Sequence, residues 1–401
     1  MSSPKRRRVS PCDWTTTADS PPPSIPDDLL LEIFARFADA TTIVRCAATS
    51  KPIRRAVLDP EFLRRRAMAS GNGGRLDPAF LVGVSYAFCE KNSPDPAVVS
   101  APRRRRSLRF DARLLHSFVP VASRGGLVVL RQREGDRSAS ARLLVCNSLT
   151  GHRLYLPPAT IAAKYPHALL AADDVCFSFQ LLVMDRSLRT QIFSPEHGKW
   201  GAVVQAHLPP QFSASLVDKA SGRPVVLGRT VVHWLCSDRG ILALNVGTAR
   251  ATLIDLPPNC LCRVTDAQKR EVVDKGLLLA ASADGRLSLL VAEYLTMCMW
   301  TMSPAGSSST PAARWTRRVV IRRDAIDRNG PGWVVRFLAF GERSGTVILQ
   351  MREVGLVEIN LGTREARVLS RDFKEIKDLG FFQLCLHETD LSTLIRTMKP
   401  F

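Results

Sequence analysis

A short Leu-Pro-Pro motif recurs at nearly constant spacing through the middle of this chain. It occurs at residues 156–158, 208–210 and 256–258, so successive copies are 52 and 48 residues apart. Turn sequences recur in a related phase, as "NSLTG", "PEHG", "NVGT" and "NLGT" at 147–151, 195–198, 245–248 and 360–363. A period near 50 residues with about four strands in each unit is the sequence signature of a β-propeller.

The segments between these turns are short and strongly apolar. Examples are "FLVGVSYAF" (80–88), "VVHWLC" (231–236) and "TVILQM" (346–351), bounded by Gly, Asn, Asp and Pro. Such runs are typical of strands buried on both faces. We expect an all-β, propeller-like domain over 79–401. Five units lie between about 120 and 371, and a closing sixth joins 79–110 to 378–388, which would remove the open edges. A twisted sandwich with coincidental Pro-Pro turns is the alternative.

The N-terminal region follows a different, helical pattern. Residues 24–68 predict short helices, with Ser24 as a cap, Pro26 in the first turn, and breaks at Pro52 and Pro60. Residues 1–23 are Pro-rich, polar and basic, which predicts a disordered tail. The Gly-rich stretch 69–78 predicts a linker. The expected fold class is therefore α+β multidomain, with a small all-α unit ahead of a propeller of about six blades.

The first predicted helix carries two apolar stripes. In "SIPDDLLLEIFARF" (24–37), one stripe comprises Leu29, Ile33 and Phe37, and the other comprises Leu30 and Phe34. A helix that packs on one side needs only one stripe. Some 45 helical residues bury too little apolar surface to be stable alone. We therefore assign Leu30 and Phe34 to the core of the unit, and the other stripe to contact with a partner protein.

Residues 25–63, "IPDDLLLEIFARFADATTIVRCAATSKPIRRAVLDPEFL", resemble the F-box, the adaptor-binding motif of Skp–cullin–F-box ubiquitin ligases. The sequence departs from the family at Ala38, where proline is common, and at Ile53, where tryptophan is common. The resemblance implies binding to a Skp-type adaptor and, through it, to a cullin. The candidate adaptor-binding residues are Ile25, Pro26, Leu29, Ile33, Phe37, Ile43, Val44 and Cys46.

The order of the parts resembles plant F-box proteins in which a Kelch-like or F-box-associated propeller follows the motif. The ending "HETDLSTLIRTMKPF" (387–401) looks like that of grass proteins of this type. The resemblance implies a non-catalytic subunit that recruits a target protein for ubiquitination. No cofactor is expected, and the sequence does not name the target.

The net charge of +19 and an excess of Arg over Lys, 45 to 11, suggest recognition of acidic or phosphorylated groups. "PKRRRV" (4–9) has the form of a nuclear import signal, with Lys5, Arg6, Arg7 and Arg8 as its cations. Arg103, Arg104, Arg105 and Arg106 are candidate contacts to the target. A nuclear nucleic-acid or chromatin-binding propeller is the alternative function. No aromatic residues alternate with these cations to stack on bases, so nucleic acid is not the favoured partner.

Several other classes of function lack their motifs. A phosphate-binding loop, H-E-x-x-H and G-x-S-x-G are absent, and the seven histidines show no metal-ligand spacing. An enzyme built on a propeller scaffold is therefore the weakest hypothesis. Ten cysteines are scattered singly, as in a reduced nuclear or cytoplasmic protein. No apolar run reaches the 18 or so residues of a membrane span. The charged N-terminus does not resemble a secretory signal.

Overall fold

The computed structural model confirms a helical N-terminal unit followed by a ring of β-sheets. The helices are α1 (Asp27–Arg36), α2 (Ala40–Thr49), α3 (Lys51–Val57), α4 (Pro60–Ala69), α5 (Leu114–Ser117) and α6 (Leu391–Arg396), with short 3-10 helices at Pro78–Phe80 and Arg323–Ala325. The structure describes residues 25–36, 39–69, 76–88, 97–100, 108–133, 142–161, 166–173, 177–208, 221–228, 230–236, 240–258, 260, 276–282, 284–293, 295–303, 315–326, 335–352, 354–371 and 382–396.

Polar caps and prolines set the bounds of the N-terminal helices. Asp39 caps α2 by accepting a hydrogen bond from Thr42 N at 2.6 Å, and Ser50 caps α3 by accepting one from Ile53 N at 3.4 Å. Pro52 lies in the first turn of α3 and Pro60 begins α4, where the missing N–H costs nothing. The predicted tail and most of the predicted linker, 70–75, lie outside the described residues.

The first and last strands of the chain share one three-stranded sheet. It consists of β1 (Leu81–Phe88), β2 (Ala97–Ser100) and β24 (Phe382–Glu388), in the order β2-β1-β24. β24 pairs antiparallel with β1 from Leu81 opposite Glu388 to Phe88 opposite Phe382. This closing sheet joins the two ends of the domain, as the sequence predicted.

Five further sheets form blades of four or five antiparallel strands. Blade 1 holds β3 (Phe118–Arg124), β4 (Leu127–Gln132), β5 (Leu143–Asn147) and β6 (Arg153–Tyr155). Blade 2 holds β7 (His167–Asp173), β8 (Ser178–Met184), β9 (Arg189–Ser194), β10 (Lys199–Trp200) and β11 (Val204–Gln205). Blade 3 holds β12 (Ser221–Leu227), β13 (Val231–Leu235), β14 (Ile241–Asn245) and β15 (Arg250–Ile254). Blade 4 holds β16 (Leu277–Ala281), β17 (Leu287–Ala292), β18 (Thr296–Met302) and β19 (Trp315–Arg322). Blade 5 holds β20 (Val335–Phe340), β21 (Thr346–Met351), β22 (Gly355–Asn360) and β23 (Ala366–Ser370).

The innermost strands complete the ring. β3, β7, β12, β16, β20 and β24 contact one another in that order, and β24 also contacts β3. Each pair of neighbouring sheets shares an apolar core, so strands such as β5 and β21 are buried along their whole length. Burial on both faces explains why the strands read as nearly continuous apolar runs rather than as alternating ones.

The recurring turn sequences occupy the same position in their blades. Asn147, Asn245 and Asn360 each end the third strand, and each side-chain oxygen accepts backbone N–H bonds from the turn that follows. Asparagine suits such a turn because its side chain replaces a backbone acceptor. The spacing of the turn sequences therefore reflects the spacing of the blades in the structure.

The Leu-Pro-Pro motifs mark joints between neighbouring blades. Trp200 Nε1 in blade 2 donates to Pro157 O at 2.8 Å, and Trp315 Nε1 in blade 4 donates to Asp255 O at 3.1 Å. At the middle copy, His207 forms an isolated bridge with Arg250 of β15. In each case the segment that leaves one blade is bonded by the outer part of the next blade, so the three copies of the motif lie at the three successive joints between blades 1 and 4.

Candidate protein-docking surface

An apolar stripe on α1 is exposed to solvent. Ile25, Leu29 and Ile33 are 57%, 57% and 45% exposed, and Pro26 beside them is also exposed. Leu29 and Ile33 are four positions apart on α1 and so share one face of it, and Ile25 lies two residues before the helix begins. Clustered apolar side chains on a surface helix mark a site of protein contact. We call Ile25, Pro26, Leu29 and Ile33 the docking stripe.

The opposite face of α1 belongs to the core of the helical unit. Phe34 and Ala35 are buried, and Leu30 and Leu31 pack against the same core. The assignment of Leu30 and Phe34 to the core is thus in agreement with the structure. α1 therefore has one face for its own domain and one face without cover from the described residues.

The other candidate adaptor-binding residues are not part of the docking stripe. Ile43 is fully buried in the core of the helical unit, so its prediction as a contact residue is corrected: it presents no surface to a partner. Val44 and Cys46 are partly buried and pack against that core. Phe37 lies outside the described residues.

Residues from the far end of the chain complete the core of the helical unit. Leu391, Leu394 and Ile395 of α6 are buried with Ile43 and Phe62, and Phe80 joins them. The Arg54 guanidinium on α3 donates to Ile395 O at 3.0 Å. The sequence held a signal for this contact, because apolar residues at 391, 394 and 395 follow helical spacing.

Asp77 connects the helical unit to the ring. Its buried carboxylate accepts hydrogen bonds from Ala40 N at 2.7 Å and Ala79 N at 2.9 Å. Its own N–H donates to Arg343 O, in the turn after β20, at 2.9 Å. A buried carboxylate needs such donors to replace its hydrogen bonds to water. The start of α2 is therefore connected to blade 5 through one residue, Asp77, by its carboxylate on one side and its backbone N–H on the other.

Arg343 and Asp390 extend this connection to α6. Arg343 Nη1 lies 2.9 Å from Asp390 Oδ2, and Asp390 Oδ1 accepts from Thr393 N at 2.7 Å at the start of α6. Burial raises the pKa of Asp390, but Arg343 and the hydrogen bonds lower it more, so the net pKa lies below its ordinary value. Glu388, at the end of β24, accepts from Ser344 N at 2.7 Å. The helices and the ring form one packed unit.

Charged side chains also fill the axis of the ring. Arg223 donates to Ser123 Oγ at 3.0 Å and to Leu384 O, which links blades 3 and 1 with the closing sheet. Arg124 donates to Leu170 O at 2.8 Å, and its Nε lies 3.2 Å from Glu342 Oε2. Burial raises the pKa of Glu342 and lowers that of Arg223. These groups line a narrow axial cavity and bond to several of the innermost strands, so their role is to hold those strands together.

Other candidate sites have no support in the described part of the chain. The predicted import residues Lys5 to Arg8 and the predicted target contacts Arg103 to Arg106 lie outside it. The described residues contain no group of His, Cys, Asp and Glu that could hold a metal ion. Burial raises the pKa of the Cys146 and Cys385 thiols to about 12, which keeps them protonated and unreactive. None of the helices in the described residues combines the length and the apolar character that a membrane span requires.

Solved structures resemble this chain only weakly. A protein of unknown function from Bacteroides thetaiotaomicron is 11% identical to this chain, with a TM-score of 0.40. The match covers 76% of this chain and 82% of the Bacteroides protein. A puromycin-hydrolyzing peptidase from Mycobacterium tuberculosis is 12% identical with a TM-score of 0.34; the match covers 63% of this chain but only 37% of the peptidase. BamB from Moraxella catarrhalis is 10% identical with a TM-score of 0.30, covering 72% and 82%. These likenesses are too weak to carry a function to this chain.

Two family models match the chain directly. No curated protein is significantly similar to it. Residues 23–69, which contain α1 to α4, match the model described as F-box-like. Residues 83–401, which contain almost the whole ring and α6, match the model described as a domain of unknown function, DUF7595. The chain thus carries an F-box-like domain and belongs to the DUF7595 family.

Proposed function

We propose that this chain is a substrate-recruiting subunit of a Skp–cullin–F-box ubiquitin ligase. The docking stripe binds the Skp-type adaptor, and through the adaptor the chain joins a cullin. The ring holds a target protein, and Arg103 to Arg106 are proposed target contacts. The chain catalyses no step itself, because its role is to raise the local concentration of target lysines near a charged ubiquitin-conjugating enzyme.

The observation that carries this proposal is the docking stripe within an F-box-like domain. A stable protein interface buries about 800 Å² on each partner, with an apolar centre and a polar rim. The docking stripe supplies an apolar centre, and the Glu32–Arg36 ion pair at 2.6 Å lies at its end as part of such a rim. The resemblance of the chain to plant F-box proteins with Kelch-like rings is a further reason for the proposal.

Binding of the full chain to a purified Skp-type adaptor tests the proposal. We expect a complex from the wild type, and at least a roughly hundredfold loss of affinity for Leu29→Asp/Ile33→Asp, because buried apolar anchors dominate interface energies. Tyr155→Asp is the matched control, since Tyr155 is 59% exposed but lies on blade 1. Wild-type protein that does not bind the adaptor, or a double variant that binds as well as the control, would contradict the proposal.

We also propose that Lys5 to Arg8 direct the protein to the nucleus. A short cationic run in an N-terminal segment is the form that import receptors read. Imaging of a fluorescent fusion tests this, with Lys5 to Arg8 replaced by alanine in the variant and Arg64 and Arg65, on α4, replaced in the control. Loss of nuclear signal in the variant alone is the expected result, and equal distribution of both would contradict it.

A further inference from the structure

α6 (Leu391–Arg396), which follows the ring in the sequence, packs into the core of the F-box-like unit. α1 to α4 precede the ring in the sequence and α6 follows it. Leu391, Leu394 and Ile395 of α6 are nevertheless buried in the same core as Phe34, Ile43 and Phe62. α6 contacts α2 directly. A unit of about 45 residues is marginal by itself. The core under the docking stripe is therefore incomplete until the end of the chain has folded onto it.

The position of α6 depends in turn on closure of the ring. Only Thr389 and Asp390 separate β24 from α6, and β24 pairs with β1 along its length. Thr389 N donates to Phe80 O at 2.9 Å, next to the start of β1. Asp390 caps α6 while it pairs with Arg343 of blade 5. When β24 is absent from the closing sheet, these contacts cannot hold α6 on the helical core.

We infer that α6 makes adaptor binding conditional on a complete, closed ring. This inference rests on the proposed function, and it adds a regulation to it. A chain with a missing C-terminus, or with an open ring, loses part of the core that supports α1 and presents the docking stripe poorly. A chain that cannot hold a target is thus kept from occupying the adaptor. Leu394 and Ile395 act as positioning residues, since they affect adaptor binding only by supporting the core beneath α1.

The test compares variants of the full chain for adaptor affinity and for integrity of the ring. Leu394→Ala/Ile395→Ala removes buried side chains from α6, and Arg396→Ala, at an exposed position of the same helix, is its control. Leu244→Ala removes a buried side chain from blade 3. Four of the six tryptophans are Trp200, Trp234, Trp300 and Trp315 on the blades, and none lies between 25 and 69 or after 390. Tryptophan fluorescence during thermal unfolding therefore follows the ring, while calorimetric titration with the Skp-type adaptor follows docking.

We expect the double variant to bind the adaptor at least about tenfold more weakly with the main fluorescence transition retained, because fewer molecules hold the competent helical unit. Leu244→Ala should lower the fluorescence transition and leave the affinity within about twofold of wild type below that transition. Equal affinity of the double variant and Arg396→Ala would overturn the inference.

Hydrogen exchange of the free protein separates this inference from the proposed function. The double variant should lose protection in α2, whereas Arg396→Ala should keep it. If the wild type fails to bind the adaptor, the proposed function fails, and exchange in α2 still decides whether α6 supports the helical unit. Unchanged protection in the double variant would overturn the inference even if the wild type binds.

Discussion

The ring and the helical unit complete their cores in different ways. In the ring, each sheet packs between two neighbours, and the exposed large apolar residues in its described part are distributed over three blades, at Tyr155, Val203, Val204, Leu295 and Val319. In the helical unit, Leu29 and Ile33 on α1 and Ile25 just before it are exposed, and the core includes α6, which follows the ring in the sequence. Each sheet of the ring is therefore covered by its neighbours, whereas the helical unit shares its core with α6 on one side and leaves the docking stripe uncovered by the described residues on the other.

The strongest test of this difference compares an alanine substitution in the core of the helical unit with one in the docking stripe. Ile43→Ala should lower the free energy of unfolding of the helical unit by about 2–5 kcal/mol, since it leaves a cavity in a small core. Leu29→Ala should change that free energy by less than about 0.5 kcal/mol, because its side chain is already exposed, and should weaken adaptor binding instead. Hydrogen exchange in α2 measures the first effect and titration with the adaptor the second. The assignment of the two faces of α1 and α2 is wrong if Leu29→Ala is the more destabilising change.

In the ring, tight backbone approaches should matter more than surface side chains. Gly240 has φ of +133°, and a Cβ added there would lie 2.7 Å from Ile254 O of the neighbouring strand. Gly240→Ala should lower ring stability by about 2–3 kcal/mol through strain and this clash. Gly198→Ala is the matched control, because Gly198 has φ of +64° with open space around it, so only the smaller backbone cost of about 1 kcal/mol applies. Denaturant unfolding followed by tryptophan fluorescence should show a clear difference between these variants.

The ring should also be more sensitive to acid than the helical unit. His387, on β24, is buried, with Nδ1 2.7 Å from Ser148 Oγ and Nε2 2.9 Å from Ser85 Oγ. Burial, together with the charge of Arg223, lowers the pKa of His387 to about 3. Between about pH 6.5 and that value, the unfolded histidine binds a proton and the folded one does not. Protonation of the unfolded histidine therefore lowers the free energy of unfolding by about 1.4 kcal/mol for each pH unit below 6.5, and it has no such effect above pH 6.5.

This acid sensitivity can be measured from denaturant unfolding of the ring between pH 7 and pH 5. Burial also lowers the pKa of His233 to about 4, so that two histidines contribute to the wild-type slope. His387→Gln should reduce the dependence of stability on pH by about 1.4 kcal/mol per pH unit, while the stability at pH 7 falls because two serines lose their partner. A slope that His387→Gln leaves unchanged would contradict the assignment.

The sequence predicted the repetitive part of the fold better than the contacts that complete it. The Leu-Pro-Pro spacing and the Asn turns predicted the blades, because the Leu-Pro-Pro segments lie at three successive blade joints and the Asn turns form the same kind of backbone bond in three blades. The apolar stripes predicted that α1 faces two ways. Ile43 was misplaced because the spacing of apolar residues in α2 does not say which of them face outward. Arg124 and Arg223 resembled ordinary strand charges, since their bonds across the axis join residues distant in sequence.

The hydrogen bonds at the blade joints should make the smallest of the predicted contributions to ring stability. Trp200 Nε1 donates to Pro157 O at 2.8 Å, and its ring lies 5.3 Å from that of Phe193, centroid to centroid. Trp200→Phe removes the hydrogen bond but keeps an aromatic side chain, so it should cost about 1 kcal/mol. Trp200→Ala removes both and should cost about 3 kcal/mol. The measurement is the denaturant midpoint followed by circular dichroism, since the substitution alters fluorescence. Trp315→Phe should match Trp200→Phe, because Trp315 Nε1 likewise donates to a backbone carbonyl, Asp255 O, in the joint between blades 3 and 4. Unequal losses would show that the two joints contribute differently to stability although they share a sequence motif. Equal losses would show that both joints stabilise the ring to the same extent.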